Sequence, residues 1–277
     1  VSSKGYTNPD LAWSPQKLNG ALGGDSLTIV DTRSLSDYAA GHIPGAVHWD
    51  LYSLSLTDTR PQAFSAFMAM LVGVLRYQGI SSEATVVFYE ANTGMRCARG
   101  YWICEYLGHS DVHVLDGGID GWKAVGLPLA TEIPAIKSAV FEAKPIGDLH
   151  IGAEEIRDSL DREGFAVLDT RSDGEYYGEN VRANRGGAIP GAVHIEYVNN
   201  MADDGALKPA SELKQMYEGA GLTPDKEIAC YCQGGYRSAN AYLALRLLGY
   251  PKVRNYIGSW REWGDREDLP IEHPKRA

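Results

Sequence analysis

Cys232-Gln-Gly-Gly-Tyr-Arg-Ser238 is the stretch of this 277-residue chain where a side chain able to do chemistry meets a backbone able to serve it. The cysteine ends a short apolar run, and Gly234 and Gly235 follow it. Glycine reaches backbone torsions closed to other residues, so successive amides there can turn inward around one point. A helical pattern opens at Arg237 and Ser238, and it adds the unpaired N–H groups and positive dipole end of a helix to that ring. Such surroundings lower a thiol pKa from about 8.5 toward the range of roughly 3.5 to 7.5. Cys232 is therefore expected to be a thiolate at neutral pH, with Gln233, Gly234, Gly235, Tyr236, Arg237 and Ser238 as its active loop. A structural reading, in which Cys232 is a small hydrophobe at a strand end, is weakened by the glycine pair and the helix start.

Loop length separates chemistries. The Cys-to-Arg spacing here is one residue shorter than the phosphate cradle of cysteine phosphatases, a ring that suits a single sulfur atom better than a phosphoryl group. A phosphatase or arsenate reductase is disfavoured on that ground.

The elements that must position this loop are legible from an internal repeat. Ile29 to Asp50, "IVDTRSLSDYAAGHIPGAVHWD", returns as Val167 to Glu196, "VLDTRSDGEYYGENVRANRGGAIPGAVHIE". The second copy is longer between the shared words DTRS and IPGAVH, and its extra residues include Arg182 and Arg185. Val86 to Trp122 likewise lines up with Ile228 to Trp263, pairing Tyr89 with Tyr231, Glu90 with Cys232 and Arg96 with Arg237. Two homologous domains follow, residues 1–130 and 151–277. Residues 131–150, with weak periodicity and no partner in the repeat, form the linker. In the second copy, residues 166–169, 192–195, 227–231 and 253–256 read as strands, and 211–220 and 237–248 as helices. Continuous apolar strands separated by helices make each domain an α/β unit, a central parallel sheet with helices on both faces. Ligands of such sheets sit beyond the carboxyl ends of the strands, which is where Cys232 lies.

Composition closes off other classes. A formal net charge of -10 and a pI near 5.2 argue against nucleic acid as a partner. The most apolar stretch, Ala63 to Leu75, is too short to span a bilayer and reads as a buried helix, so no membrane partner is expected. The four cysteines match no usual zinc spacing and are too few for a disulfide scaffold. They favour a reducing, cytoplasmic compartment, with the periplasm left open because the chain starts at Val1 without Met. Cys230 is expected in the sheet core. Neither Cys97 nor Cys104 aligns with Cys232.

Three words of the sequence, Tyr38 to Trp49, the Cys232 loop and Val253 to Trp263, resemble the rhodanese family in its tandem form of thiosulfate and mercaptopyruvate sulfurtransferases. The likeness covers nearly the whole chain. Ile257 and Trp49 depart from the usual signature as packing variants. The resemblance implies that only the second copy is catalytic, and Glu90 at the position of Cys232 agrees, because a carboxylate cannot carry sulfur. Glu90 is expected to fill its own amide ring and to pair with Arg96.

The family mechanism implies that Cys232 attacks the outer sulfur of a small-molecule donor and becomes a persulfide. Cyanide, a thiol or a protein thiol then accepts that sulfur, in two covalent steps that need neither metal nor organic cofactor. Thiosulfate is the default donor. Mercaptopyruvate is the rival, although that group's Cys-Gly-Ser/Thr-Gly-Val-Thr loop does not match. Asp169 matches a family position that braces the active loop, yet its twin Asp31 occurs in the inactive copy. Arg171, twinned with Arg33, can be a fold-level ion pair or a substrate contact. Arg237 is a candidate to meet an anionic donor, and Arg182 and Arg185 to shape the pocket mouth. Glu175 stands where some members have a donor-binding arginine, which weighs against thiosulfate. His42, His48 and His194 are expected in strand-edge hydrogen bonds, and Tyr236 and Trp260 are candidates for the pocket wall or the core.

Overall fold

A computed structural model describes residues 4–276. Its first half runs β1 (Ala12–Trp13), α1 (Pro15–Ala21), β2 (Leu27–Asp31), α2 (Leu35–Ala40), β3 (Val47–His48), α3 (Pro61–Tyr77), β4 (Thr85–Tyr89), α4 (Met95–Tyr106), β5 (Val112–Leu115) and α5 (Gly118–Ala124). The second half runs α6 (Ala153–Ser159), β6 (Phe165–Asp169), α7 (Asp173–Tyr176), β7 (Val193–His194), α8 (Ala210–Gly219), β8 (Glu227–Tyr231), α9 (Arg237–Leu247), β9 (Val253–Asn255) and α10 (Ser259–Trp263). All pairings within the two sheets are parallel, in the orders β1-β5-β4-β2-β3 and β7-β6-β8-β9.

Both faces of each sheet are covered, as the apolar strand runs imply. In β4, Val86 and Phe88 join a core with α3 and α4, while Val87 and Tyr89 face α1 and α5. In β8, Ile228 and Cys230 point one way, while Ala229 and Tyr231 point the other against Trp260 and Trp263. Because side chains alternate along a strand, one strand serves two cores. The core on the α4 and α9 side is continuous from Phe88 through Trp102 and Leu243 to Ile228, so the two halves share it. Helices α4 and α9 are buried almost all round and lie against each other. Both follow directly from the repeated loops, so each loop sits at the seam between the halves.

Three expectations need amendment. Ala63 to Leu75 lies in a helix buried only along Phe64, Met68, Leu71 and Leu75, while Met70 on another face is exposed, so α3 is amphipathic. The first described residues, placed by sequence in the first domain, bind the second half: Ala210 N–H donates to the Lys4 carbonyl, Asn8 N–H to Leu247, and the Tyr6 hydroxyl to Lys208. The segment before α6 is irregular as foreseen but lies along the first half, with Phe141 buried and accepting from Arg76. Among the described residues no helix is long and apolar enough to cross a membrane.

Candidate active site

The register pairing Tyr231 with Asp169 puts Cys232 just beyond the carboxyl edge of the sheet. There the chain turns sharply, and the loop is held from outside by the start of α10. Trp260 N–H donates to the Cys232 carbonyl at 2.9 Å, Arg261 N–H donates to the Gln233 carbonyl at 3.0 Å, and Cys232 N–H donates to Ser259 Oγ at 3.1 Å. With those carbonyls drawn off, the loop's amides are left to the sulfur. Gly235 N–H donates to Cys232 Sγ at 3.1 Å. Gly235 has φ +81, and a Cβ there would meet Ile257 Cα at 2.7 Å, so no other residue fits. Ser259, the one non-glycine residue with positive φ among those described (φ 53), places its hydroxyl 4.0 Å from Sγ. Backbone strain of this kind is tolerated where the surroundings over-determine it.

The thiol is 1% exposed. Burial pushes its pKa up, but the Arg237 guanidinium, the amides of Ser238 and Gly234 and the Ser238 hydroxyl together hold it below the ordinary cysteine value. Arg237 is in turn committed to Glu175 by two hydrogen bonds, at 2.6 and 2.8 Å. The same carboxylate meets Arg182 at 3.2 Å and closes a capping box with Ser172 at the start of α7. Burial raises the Glu175 pKa, yet Arg237 and Ser172 outweigh it and hold the carboxyl at about 2. Thus Glu175 is spent on orienting Arg237 beside the sulfur.

A cleft of about 490 Å³ opens over Cys232. Its rim brings Arg182, Tyr197, Tyr236 and Arg261 of the second half against Tyr52 and Ser55 of the first. A cleft of equal volume elsewhere, lined by Tyr101, Glu105, His109 and Arg246, contains no cysteine. Size therefore does not single out the site; the chemistry of Cys232 does.

Of the loop residues, Gln233, Gly234, Tyr236 and Arg237 line the cleft beside Cys232. The Tyr236 hydroxyl lies 2.6 Å from the carbonyls of both Leu51 and Leu54, which ties the loop to the first half. Arg171 is not a substrate contact: it is 1% exposed and forks onto Asp169. Arg33 and Asp31 repeat that pair. Arg185 does not reach the pocket mouth. Its guanidinium is consumed by the carbonyls of Trp263, Gly264, Arg266 and Leu269, where it staples the tail after α10. Its neighbour Arg182 does line the cleft. Trp260 is core, stacked under Arg171 at 4.4 Å with its indole N–H on the Arg185 carbonyl. His42, His48 and His194 each meet backbone carbonyls.

Sequence reasoning missed Tyr52, Ser55, Tyr197, Ser259 and Arg261. The first two come from the other half, and no motif in the loop points to them. Ser259 and Arg261 do lie in the repeated Ile228 to Trp263 block, three elements after the cysteine.

In the first half the equivalent loop is already full. Glu90 Oε1 accepts the amides of Arg96 at 2.6 Å and Cys97 at 3.2 Å. The expected partnership with Arg96 is thus made through its backbone, while its guanidinium lies over the Tyr52 ring at 5.0 Å. Cys97, Cys104 and Cys230 are buried. Desolvation raises the pKa of each, so none shares the character of Cys232. Among the described residues no cluster of three or more His, Cys, Asp or Glu could hold a metal ion.

Comparison with known proteins matches the rhodanese-like domain model twice, over residues 14–125 and 152–266. A thiosulfate sulfurtransferase of Azotobacter vinelandii is 34% identical over 267 residues, covering 96% of this chain and 98% of the relative. A sulfur carrier protein of Thermus thermophilus is also 34% identical, over 288 residues and the same shares. Among solved structures, the anaerobic ergothioneine biosynthesis enzyme of Chlorobium limicola superposes with a TM-score of 0.88 at 24% identity, covering 98% of this chain and 72% of that one. That likeness is one of fold.

Proposed function

The chain belongs to the rhodanese family, and from that premise we propose that it is a sulfurtransferase which carries the moving sulfur as a persulfide on Cys232. The observation that carries this reading is the Cys232 sulfur itself, buried at the end of β8, with the Gly235 amide at 3.1 Å and a pKa held down by Arg237. An anionic sulfur there is stabilised by groups already oriented toward it, which is the condition for lowering a barrier without reorganisation.

In the first step the Cys232 thiolate attacks the outer sulfur of thiosulfate. A new sulfur–sulfur bond forms, the old one breaks, and sulfite leaves with the electron pair. In the second step cyanide or a thiolate attacks the terminal sulfur of the persulfide, and the Cys232 thiolate is regenerated as the leaving group. The loop amides face an anionic sulfur in both resting forms. Arg182 and Arg261 at the rim give the cleft a positive mouth suited to an anionic donor. Glu175 is shared by Arg237 and Arg182, so it reduces the positive charge that both present to the cleft.

Initial rates with thiosulfate and with 3-mercaptopyruvate identify the donor, and the mismatch with the mercaptopyruvate loop favours thiosulfate. Intact-mass measurement after donor treatment should show one added sulfur in the wild type and none in Cys232→Ser. A Cys232→Ser protein that still turned over would exclude Cys232 as the carrier. The name of the Thermus relative favours one second reading, delivery of the persulfide sulfur to a protein thiol. A persulfide that forms quickly, persists toward cyanide and is discharged by a candidate protein thiol would select it.

A further inference from the structure

Helices α4 and α9 cross at the seam, and each sends one side chain into the loop of the other half. From α9, Asn240 Nδ2 donates to the carbonyls of Thr93 and Gly94 in the Glu90 loop, at 2.8 and 3.1 Å. From α4, Arg99 Nη1 donates to the Gly235 carbonyl in the Cys232 loop at 3.1 Å. Pairing Arg96 with Arg237 pairs Arg99 with Asn240, so the two reach across from equivalent positions of the repeat. One is neutral and the other charged.

Arg99 is 1% exposed, and its Nε and Nη2 have no hydrogen-bond partner among the described residues. The guanidinium lies against the rings of Tyr236 and Trp102, at 5.0 and 5.3 Å. No carboxylate of the described residues pairs with it. A buried cation without a counter-ion is costly: burial pushes the Arg99 pKa below the ordinary arginine value, and among the described residues the ionisable groups that oppose this are Tyr236 and Cys232. Tyr236 is kept protonated by burial, and the nearby His150 is kept neutral by burial too, its pKa pushed down to about 3. The anion available to Arg99 is the sulfur of Cys232.

We infer that Arg99, supplied by the non-catalytic half, is a positioning residue for the sulfur-transfer loop, holding the Gly235 carbonyl outward and setting an unneutralised positive charge behind the Cys232 sulfur. This rests on the reading of Cys232 as the carrier. A peptide unit is planar and trans, so a Gly235 carbonyl fixed on Arg99, and on Asn255 Nδ2 at 3.3 Å, turns the Tyr236 N–H to the opposite side. Arg237 lowers the Cys232 pKa, but Glu175 offsets its charge. Arg99 has no such offset. The remaining ionisable groups in the field of Cys232 are Cys230 and Tyr197, both kept protonated by burial. The pattern also explains the asymmetry of the repeat: the loop that already contains the Glu90 carboxyl, raised in pKa by burial, receives a neutral Asn240, whereas the loop that holds an anionic sulfur receives an arginine.

The test uses the full chain and three variants: Arg99→Met removes charge and donor, Arg99→Gln keeps a donor, and Arg99→Lys keeps the charge. The readout is the pH dependence of iodoacetamide reaction at Cys232, with persulfide formation from thiosulfate measured by intact mass. Arg99→Met should move the alkylation midpoint upward and slow alkylation at neutral pH by a few-fold. Arg99→Gln should do the same to a lesser degree, and Arg99→Lys should restore most of the wild-type profile. A folded Arg99→Met or Arg99→Gln protein that titrates with the wild type overturns the inference. If the Met variant does not fold, the Gln variant alone decides. Wild-type protein that never gains sulfur overturns the carrier reading instead, whatever the variants do.

Discussion

At the end of β4, the Glu90 carboxylate sits among the amides of Arg96 and Cys97; at the end of β8, Cys232 Sγ takes the Gly235 amide, with those of Ser238 and Gly234 lowering its pKa. The two loops follow equivalent strands and open into equivalent helices. In the first, the amide ring is filled by a side chain of its own half, and burial raises the pKa of that side chain. In the second, the ring is left for a sulfur atom, and the surroundings lower its pKa. The comparison teaches that the fold turns loop amides onto a strand-end side chain twice, and that the loop around Glu90 leaves its pKa raised by burial whereas the loop around Cys232 brings its pKa down.

The sharpest way to break this comparison is to empty both cradles. Cys232→Ser should cost at least about 10⁴ in turnover, the scale on which loss of a covalent nucleophile is felt, with little change in stability. Glu90→Ala should do the reverse. Two buried amides lose their acceptor, at about 2 to 4 kcal/mol, while turnover per folded molecule stays near wild type. Glu90→Gln, whose amide oxygen can take over those bonds, should recover most of the loss. Thermal melts and donor-dependent rates on the same preparations check both, and a Glu90→Gln protein that folds but cannot transfer sulfur would end the division of labour.

How much of this was open to a reader of the sequence depends on the range of the contacts involved. The repeat, the strands around Asp169 and Tyr231 and the start of α9 at Arg237 are written in local patterns, and they stand in the structure within a residue or so. The cradle glycine was legible for the same reason, since φ +81 at Gly235 is a demand on one residue. Arg171 left two readings open and Arg185 misled, because a charge in a sequence carries no address: one is folded back on Asp169, the other is absorbed by carbonyls of the tail. Arg99, Tyr52 and Ser55 were invisible because they reach the site only when the halves pack together.

A smaller effect separates the two buried glutamates by sign. Glu175 has a folded pKa of about 2 against an ordinary 4.5, so its stabilising contribution is present above 4.5 and is lost as the pH falls through about 2. That contribution is about 2 kcal/mol once solvent screening at the cleft is allowed for. Glu90 is shifted the other way, so its contribution is full below 4.5 and fades as the pH rises through its elevated value. Urea unfolding between pH 2 and 7 should therefore show a flatter acid limb for Glu175→Gln than for the wild type, and a steeper gain of stability with pH for Glu90→Gln. Parallel profiles for the two variants would mean that both glutamates are managed alike.

The smallest expected difference concerns the tyrosines that end the two strands. Tyr89 OH donates to Asp31 at 2.6 Å and accepts from the Ile43 amide at 3.1 Å; Tyr231 OH donates to Asp169 at 2.5 Å and accepts from the Ile189 amide at 3.1 Å. Each aspartate also grips its own arginine, Arg33 or Arg171. If this network is scaffold in both halves, Tyr89→Phe and Tyr231→Phe should each cost about 1 to 3 kcal/mol and agree to within about 0.5 kcal/mol. The bracing role that the resemblance implies for Asp169 predicts something further. Tyr231 immediately precedes Cys232, so loosening Asp169 there should also lower turnover per folded molecule by a few-fold, with no such loss for Tyr89→Phe. Equal stability losses with turnover unchanged in both would leave Asp169 as a twin of Asp31, a strand-end brace that the reactive loop does not feel.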